Sequence, residues 1–294
     1  MDSTLIQHHA ILLKDTVRMN AYKKAIDAVV KNGDVVIDIG CGLGILSFLA
    51  LKAGAAHVHA VEVEPNTLKL ARVIAKENGL GKGITFHKGL SYKLKLKEKA
   101  DVIISEVFGN IALNENLLPA MLDAKDRLLK DGGKMIPSAV KVWFAPCENK
   151  DWEFTAKGLH NCMGFDLLPD APEFDLGLPS TIIKTPELLS NSVIFADIDL
   201  LNITSDTISN QLTFEVAKDG VLTGFAGWFE AQLAKGVTFA TNPSGLITHW
   251  KQGFLPLRSP QRVKAGQKIT FSLEIAPDKT GLNSQIGYEF EVVV

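Results

Sequence analysis

A doubly wound α/β domain followed by an antiparallel β domain is the architecture that this 294-residue sequence predicts. Three observations carry that reading. Short β-branched runs alternate with helical periodicity up to about residue 137. A glycine-rich turn, Asp38-Ile39-Gly40-Cys41-Gly42-Leu43-Gly44, joins the first of those runs to the first helix after it. Beyond Pro137 the apolar residues recur at every second position, the period of a half-buried strand.

The elements follow in order. Val35 to Asp38 reads as the first strand and Ile45 to Ala53 as a helix. His57 to Val63 is the second strand. Pro65 stands where a first helical turn tolerates it, and Asn66 to Asn78 reads as a helix. Ile84 to His87 and Asp101 to Glu106 supply two more strands. Leu117 to Leu129 is a helix closed by Asp131-Gly132-Gly133. Strands linked by helices predict a mostly parallel sheet. We place the domain boundary at Pro137, giving units 1–137 and 138–294. In the second unit, Leu212 to Val216, Ile269 to Ile275 and Tyr288 to Val292 alternate apolar and polar residues. Turn residues at Lys218-Asp219-Gly220 and Asn242-Pro243-Ser244-Gly245 separate such runs, predicting a sandwich or barrel. Residues 164–184 contain prolines and little periodicity, and read as an arm.

Composition narrows the class. Apolar residues make up 46% and charged residues 22%, so a substantial core is predicted and dominant disorder is not. With 33 acidic against 31 basic residues, no electrostatic case exists for nucleic acid as a partner. Cys41, Cys147 and Cys162 form neither a disulfide framework nor a metal-ligand pattern, which predicts a reducing, cytoplasmic setting and no metal. Met1 to Ala10 lacks the pattern of a signal peptide. Val35 to Val63, the most apolar stretch, is broken by Asp38, Lys52 and glycines, so no membrane span is predicted.

The glycine turn brings backbone close to a ligand at the carboxyl edge of the sheet. Glu62 ends the next strand, where a carboxylate can accept from both hydroxyls of a ribose. A dinucleotide fingerprint wants Gly or Ala at its sixth position, and here that position is Ile45. Glycines at 40, 42 and 44 suit a cofactor with a ribose and no pyrophosphate, such as S-adenosyl-L-methionine. The plainer alternative is a structural turn. Further along, Glu106 and Glu115 put two acids on one loop beside that edge. A guanidinium is planar, offers five donors in a fork and stays protonated, so two carboxylates can hold it. On spacing alone the pair reads equally as solvated glutamates, which are common.

Four segments together resemble the protein arginine methyltransferase family, across nearly the whole chain. They are Val36 to Ser47, Ile104-Ser105-Glu106 through Glu115, Thr248-His249-Trp250-Lys251-Gln252, and Leu12-Leu13-Lys14-Asp15-Thr16-Val17-Arg18. The resemblance implies a class I methyltransferase domain of Rossmann-like form, a β-barrel substrate domain, and an arm near 164–184 that makes a homodimer. It implies that Glu106 and Glu115 clamp the acceptor guanidinium. Asp15 and His249 would pair across the domains and help carry away the proton. Trp250 would wall the acceptor pocket. His9, Arg18, Asp38, Gly40, Gly42, Glu62 and Ser91 would serve the cofactor, with Arg18 on its carboxylate and Glu62 on its ribose.

The sequence also departs from the family. The aromatic-rich helix expected before His9 has no counterpart. The glutamate loop reads Val107-Phe108-Gly109-Asn110 where members usually have Trp, Met, Gly and Tyr. Leu90-Ser91-Tyr92 stands where an acid usually faces adenine. Two alternatives to a protein arginine methyltransferase therefore stay open: methylation of a small guanidino or amine metabolite, and a non-catalytic cofactor-binding partner.

Overall fold

The computed structural model describes residues 3–169, 171 and 175–293. Two helices open the chain, α1 (Ser3–Lys14) and α2 (Thr16–Val29). Five parallel strands follow: β1 (Val35–Ile39), β2 (His57–Glu62), β3 (Ile84–Lys88), β4 (Ala100–Ser105) and β5 (Leu129–Ile136). Their order in the sheet is β3-β2-β1-β4-β5. β1 pairs with both β2 and β4, so the chain reverses direction across the sheet beside β1. In doubly wound sheets, ligands bind outside the carboxyl ends of the strands at that switch point.

Local chemistry explains the helices. α3 (Ile45–Lys52) begins directly after the glycine turn. α4 (Pro65–Glu77) has Pro65 in its first turn, and the Glu64 carboxylate accepts the Thr67 N–H at 2.6 Å. α2 is capped by Asp15, which accepts the Arg18 N–H at 3.0 Å. Its buried face carries Tyr22, Ala25 and Ile26 into the core. α5 (Leu117–Leu128) covers the sheet beside β4 and β5.

One predicted turn is absent. Asp131-Gly132-Gly133 does not close the last helix; α5 runs straight into β5, and Leu129 already pairs with Ala100. The glycines serve a bulge within β5 instead, where the register shifts between Ala100 and Val102.

The second unit contains β6 (Ala139–Cys147), α6 (Lys150–His160), β7 (Ser180–Thr181), β8 (Val193–Asp199), β9 (Ile208–Glu215), β10 (Gly220–Ala234), β11 (Val237–Ala240), β12 (Gln252–Val263), β13 (Lys268–Pro277) and β14 (Ser284–Val293). All pairings here are antiparallel. β7-β12-β10-β6-β8, with β11 on β10, form one sheet, and β14-β13-β9 form another. Among the described residues the ladders make two sheets and not a closed ring. Their inner faces meet in an aromatic core of Phe144, Phe195, Phe214, Phe225 and Phe271, with Phe225 stacked on Phe271 at 4.0 Å.

Within the predicted arm, residues 170 and 172–174 lie outside the described residues. The last residues of that stretch lie on the sheet. Ser180 and Thr181 already pair with β12, and the Ile183 N–H donates to Gln252 Oε1 at 2.8 Å while its side chain is buried. The apolar contact of Ile183 draws those residues back onto the sheet.

Candidate active site

The parallel sheet brings Asp38, Glu62 and Glu106 to one edge, at the ends of β1, β2 and β4. A cavity of about 380 Å³ opens there. Eight of the twelve predicted site residues line it: His9, Arg18, Gly40, Gly42, Glu62, Ser91, Glu106 and Glu115. The other four, Asp15, Asp38, His249 and Trp250, stand behind its walls.

Gly40 and Gly42 are required by close approach. Both have positive φ, 72° and 54°. A Cβ on Gly40 would lie 2.7 Å from Val107 Cγ1, and one on Gly42 would lie 3.2 Å from His9 Cε1. The His9 imidazole is held below its ordinary pKa by burial, with His8 and Arg18 adding to the effect. Glu62 is tied to the turn: Oε2 accepts Gly42 N–H and Oε1 accepts Glu64 N–H, both at 2.9 Å. Each oxygen keeps a further lone pair for a ligand hydroxyl. Asp38 lies beneath the turn, fully buried. Ser47 Oγ donates to its Oδ2 at 2.6 Å, while Oδ1 has no partner. Burial raises its pKa to about 7 against the pull of Ser47.

Glu106 is positioned by the end of β4. The Tyr22 hydroxyl donates to Ser105 O at 2.8 Å, and Ser105 Oγ donates to Ile39 O at 3.2 Å. The nearly buried Glu106 carboxylate carries an ion pair with Arg18 Nη2. Burial raises its pKa, and Arg18 opposes that rise. Arg18 Nη1 donates to Leu12 O at 3.0 Å, which leaves its buried Nε without a partner. Glu115 ends a 3-10 turn, Leu113–Glu115. It has no hydrogen-bond or ion-pair partner among the described residues. Its carboxylate opens onto the cavity, yet desolvation first, and the charge of Glu106 second, lift its pKa to about 7.

Asp15 and His249 meet across the two units. Asp15 Oδ2 accepts from His249 Nδ1 at 2.9 Å and from its backbone N–H at 3.0 Å. Burial alone would raise the Asp15 pKa, but the hydrogen bonds from His249 and Arg18 win and hold it at about 2. An ionised carboxylate only accepts, so His249 Nδ1 carries a proton toward Asp15; in a neutral ring Nε2 is then an acceptor. Trp250 does not line the cavity. Its indole stacks on Phe239 at 5.2 Å, and Nε1 donates to Phe108 O at 2.8 Å. It therefore holds the glutamate loop from behind. Trp250→Phe strands that carbonyl and is expected to cost about 1–3 kcal/mol of stability, measurable by urea unfolding.

Sequence reading missed Asn116 and the segment Gly281-Leu282-Asn283, which also line the cavity. Asn116 follows Glu115 in a left-handed conformation, φ 64°, which Asn tolerates. Its buried amide has no partner for either Oδ1 or Nδ2. No sequence signal places residues 281–283 there.

A five-stranded doubly wound domain with this edge, joined to an antiparallel domain, has the architecture of a class I methyltransferase with an appended β domain. The comparisons agree. Residues 20–141 match the family model "Ribosomal protein L11 methyltransferase (PrmA)", and residues 140–292 match "Arginine methyltransferase oligomerization subdomain". Protein arginine N-methyltransferase 1 of Dictyostelium discoideum is 32% identical over 293 residues, covering 96% of this chain and 85% of that protein. Protein arginine N-methyltransferase 6 of Xenopus laevis is 31% identical, covering 92% and 83%. A solved Trypanosoma brucei PRMT1 enzyme-prozyme heterotetrameric complex with AdoHcy matches with a TM-score of 0.83 at 26% identity, covering 97% of this chain and 93% of the matched one. The chain belongs to the protein arginine methyltransferase family.

Proposed function

We propose that this chain transfers a methyl group from S-adenosyl-L-methionine to a guanidinium nitrogen of a protein arginine. The observation that carries this is Glu106 and Glu115 on one loop, facing the cavity at the end of β4.

The cavity's own polar atoms fit the cofactor. Arg18, Glu62 and Ser91 line it together, a set that matches a carboxylate, a ribose and a base in turn. Arg18 would hold the carboxylate of the methionine end, Glu62 the ribose, and Ser91 the adenine side. Gly40 and Gly42 give the backbone room for close approach, with His9 against Gly42 and Asp38 stiffening the turn from below. Bound S-adenosyl-L-methionine supplies an electrophilic methyl on a sulfonium.

A protonated guanidinium is a weak nucleophile. Glu106 and Glu115 would hold it in plane and draw its positive charge toward their side. The nitrogen facing the cofactor then keeps more lone-pair character. Arg18 on Glu106 is consistent with a carboxylate shaped for a guanidinium. Once the nitrogen is methylated it must lose a proton, and His249, fixed by ionised Asp15, is the sink we assign, reached by relay because it stands outside the cavity lining. Trp250 shapes the acceptor side by holding the loop at Phe108.

The match to an oligomerization subdomain supports a homodimer through the arm. No helix among the described residues is long and apolar enough to cross a membrane; the cytoplasmic setting rests on the scattered, unpaired cysteines. The test is incubation of the purified chain with cofactor, arginine peptides and free guanidino compounds, read by mass spectrometry. Methylated arginine in peptide is the expected result; turnover confined to small compounds overturns the protein substrate. The Trypanosoma match is to an assembly that pairs an enzyme with a prozyme, so a non-catalytic partner is the second reading. Methyl transfer by the chain alone removes it.

A further inference from the structure

We propose that the turn between β13 and β14 closes the adenosine end of the cofactor cavity and determines affinity and base selectivity there. This inference rests on the reading of that cavity as the S-adenosyl-L-methionine site.

The turn belongs to the β domain, yet Gly281, Leu282 and Asn283 line the same cavity as Glu62, Leu90 and Tyr92 of the first domain. The approach is close: a Cβ on Gly281 would lie 3.5 Å from Leu90 Cδ1 and 3.8 Å from Tyr92 Cε2. The turn is internally braced. Asp278 Oδ1 accepts from the N–H of Thr280 at 2.9 Å and of Gly281 at 3.0 Å, and Asp278 N–H donates to Asn283 O at 2.9 Å. It is also fastened from outside, because Ser284 Oγ donates to Leu113 O at 2.8 Å, in the turn that carries Glu115. The facing wall is fixed too: Arg127 donates to Ser91 O at 2.9 Å and to Leu94 O at 2.7 Å.

Two side chains at the tip are left open to solvent. Leu282 is 46% exposed at the lip of the cavity. The Asn283 side-chain amide has no hydrogen bond among the described residues, while its backbone N–H donates to Asp278 Oδ1 at 3.5 Å. Glu62 marks where the ribose sits, and the base extends from the ribose toward Leu90, Ser91 and Tyr92. A flat apolar base there is sandwiched between Leu90 and Tyr92 on one side and Leu282 on the other. An amide beside its edge offers the paired donor and acceptor that match adenine. The wall from Leu90 to Tyr92 contributes no acid of its own, so the β domain supplies polar recognition from across the cavity.

The test is calorimetric binding of S-adenosylhomocysteine and of 5′-methylthioadenosine, which lacks the amino-acid end. The full chain is compared with its Leu282→Ala and Asn283→Ala variants. Both variants are expected to bind both ligands roughly five- to tenfold more weakly, with an unchanged melting temperature because both side chains are exposed. Wild-type affinity for both ligands in both variants overturns the inference and leaves the cofactor reading intact. So does a loss seen with S-adenosylhomocysteine but not with 5′-methylthioadenosine, since it places the contact at the other end. Failure of the wild-type chain to bind either ligand overturns the cofactor reading itself, and this inference with it.

Discussion

Glu115→Gln is expected to lower kcat/KM for an arginine peptide by about three orders of magnitude while leaving S-adenosylhomocysteine affinity unchanged. The amide keeps the volume of the side chain, so the cavity keeps its shape. It removes the negative charge and presents an NH₂ toward a guanidinium that has only donors. Losing one electrostatic contact made in the transition state costs roughly a hundred- to a thousandfold, and a charged contact lies at the upper end. Glu115 is the cleaner of the two acids to change, because it has no partner in the free chain. Glu106→Gln should be at least as damaging, but it also leaves the buried Arg18 guanidinium without its ion pair. Initial rates by mass spectrometry and affinities by calorimetry separate the two effects. Turnover of Glu115→Gln within a few-fold of wild type would refute the clamp.

Whether an element was legible in the sequence depended on the range of the forces that fix it. β1, α3, β2, α4, β3 and β4 follow local rules of periodicity, a glycine turn and a proline in the first helical turn, and lie within a residue or two of their expected positions. Asp131-Gly132-Gly133 misled because glycines that end a helix and glycines that allow a bulge look alike. Only pairing with β4 tells them apart. That Gly40, Gly42 and Glu62 meet at one sheet edge was readable because they sit at fixed offsets from strand ends. Glu115 needed the resemblance, since the loop that turns it toward the cavity depends on positive φ at Ala112 and a left-handed Asn116. Trp250 was placed on the acceptor pocket by resemblance, whereas its indole reaches Phe108 through the aromatic packing of Phe229 and Phe239. Such long-range packing leaves no short sequence signature. The same holds for Leu282, more than 160 residues from Glu115.

Two of the raised acids, Glu115 and Asp38, set opposite pH trends for activity and for stability. Glu115 titrates at about 7 in the free chain and must be ionised to hold a cation. kcat/KM reports the free enzyme, so it is expected to rise about tenfold per pH unit from roughly pH 5 to 7 and then level off. Arginine binding pulls that proton off, so calorimetry below pH 7 should register proton release that vanishes above about pH 8. Stability runs the other way. Asp38 has a folded pKa of about 7, above that of an unfolded aspartate. Its contribution is fully present below about pH 4 and is lost as pH rises through 7. Glu115 has the same sign but a smaller weight, since its open side lets water relieve the charge. Asp15, held at about 2, is ionised in both states over this range and contributes no slope there. The histidines that burial holds low, His9, His59 and His87, add the opposite sign below about pH 6.5, so the Asp38 share is read by difference: the melting temperature of the cofactor-free chain minus that of Asp38→Asn should fall between about pH 5 and 8. An activity profile flat from pH 5 to 8 would mean that Glu115 is already ionised in the free chain, and so would remove the reason for proton release on arginine binding.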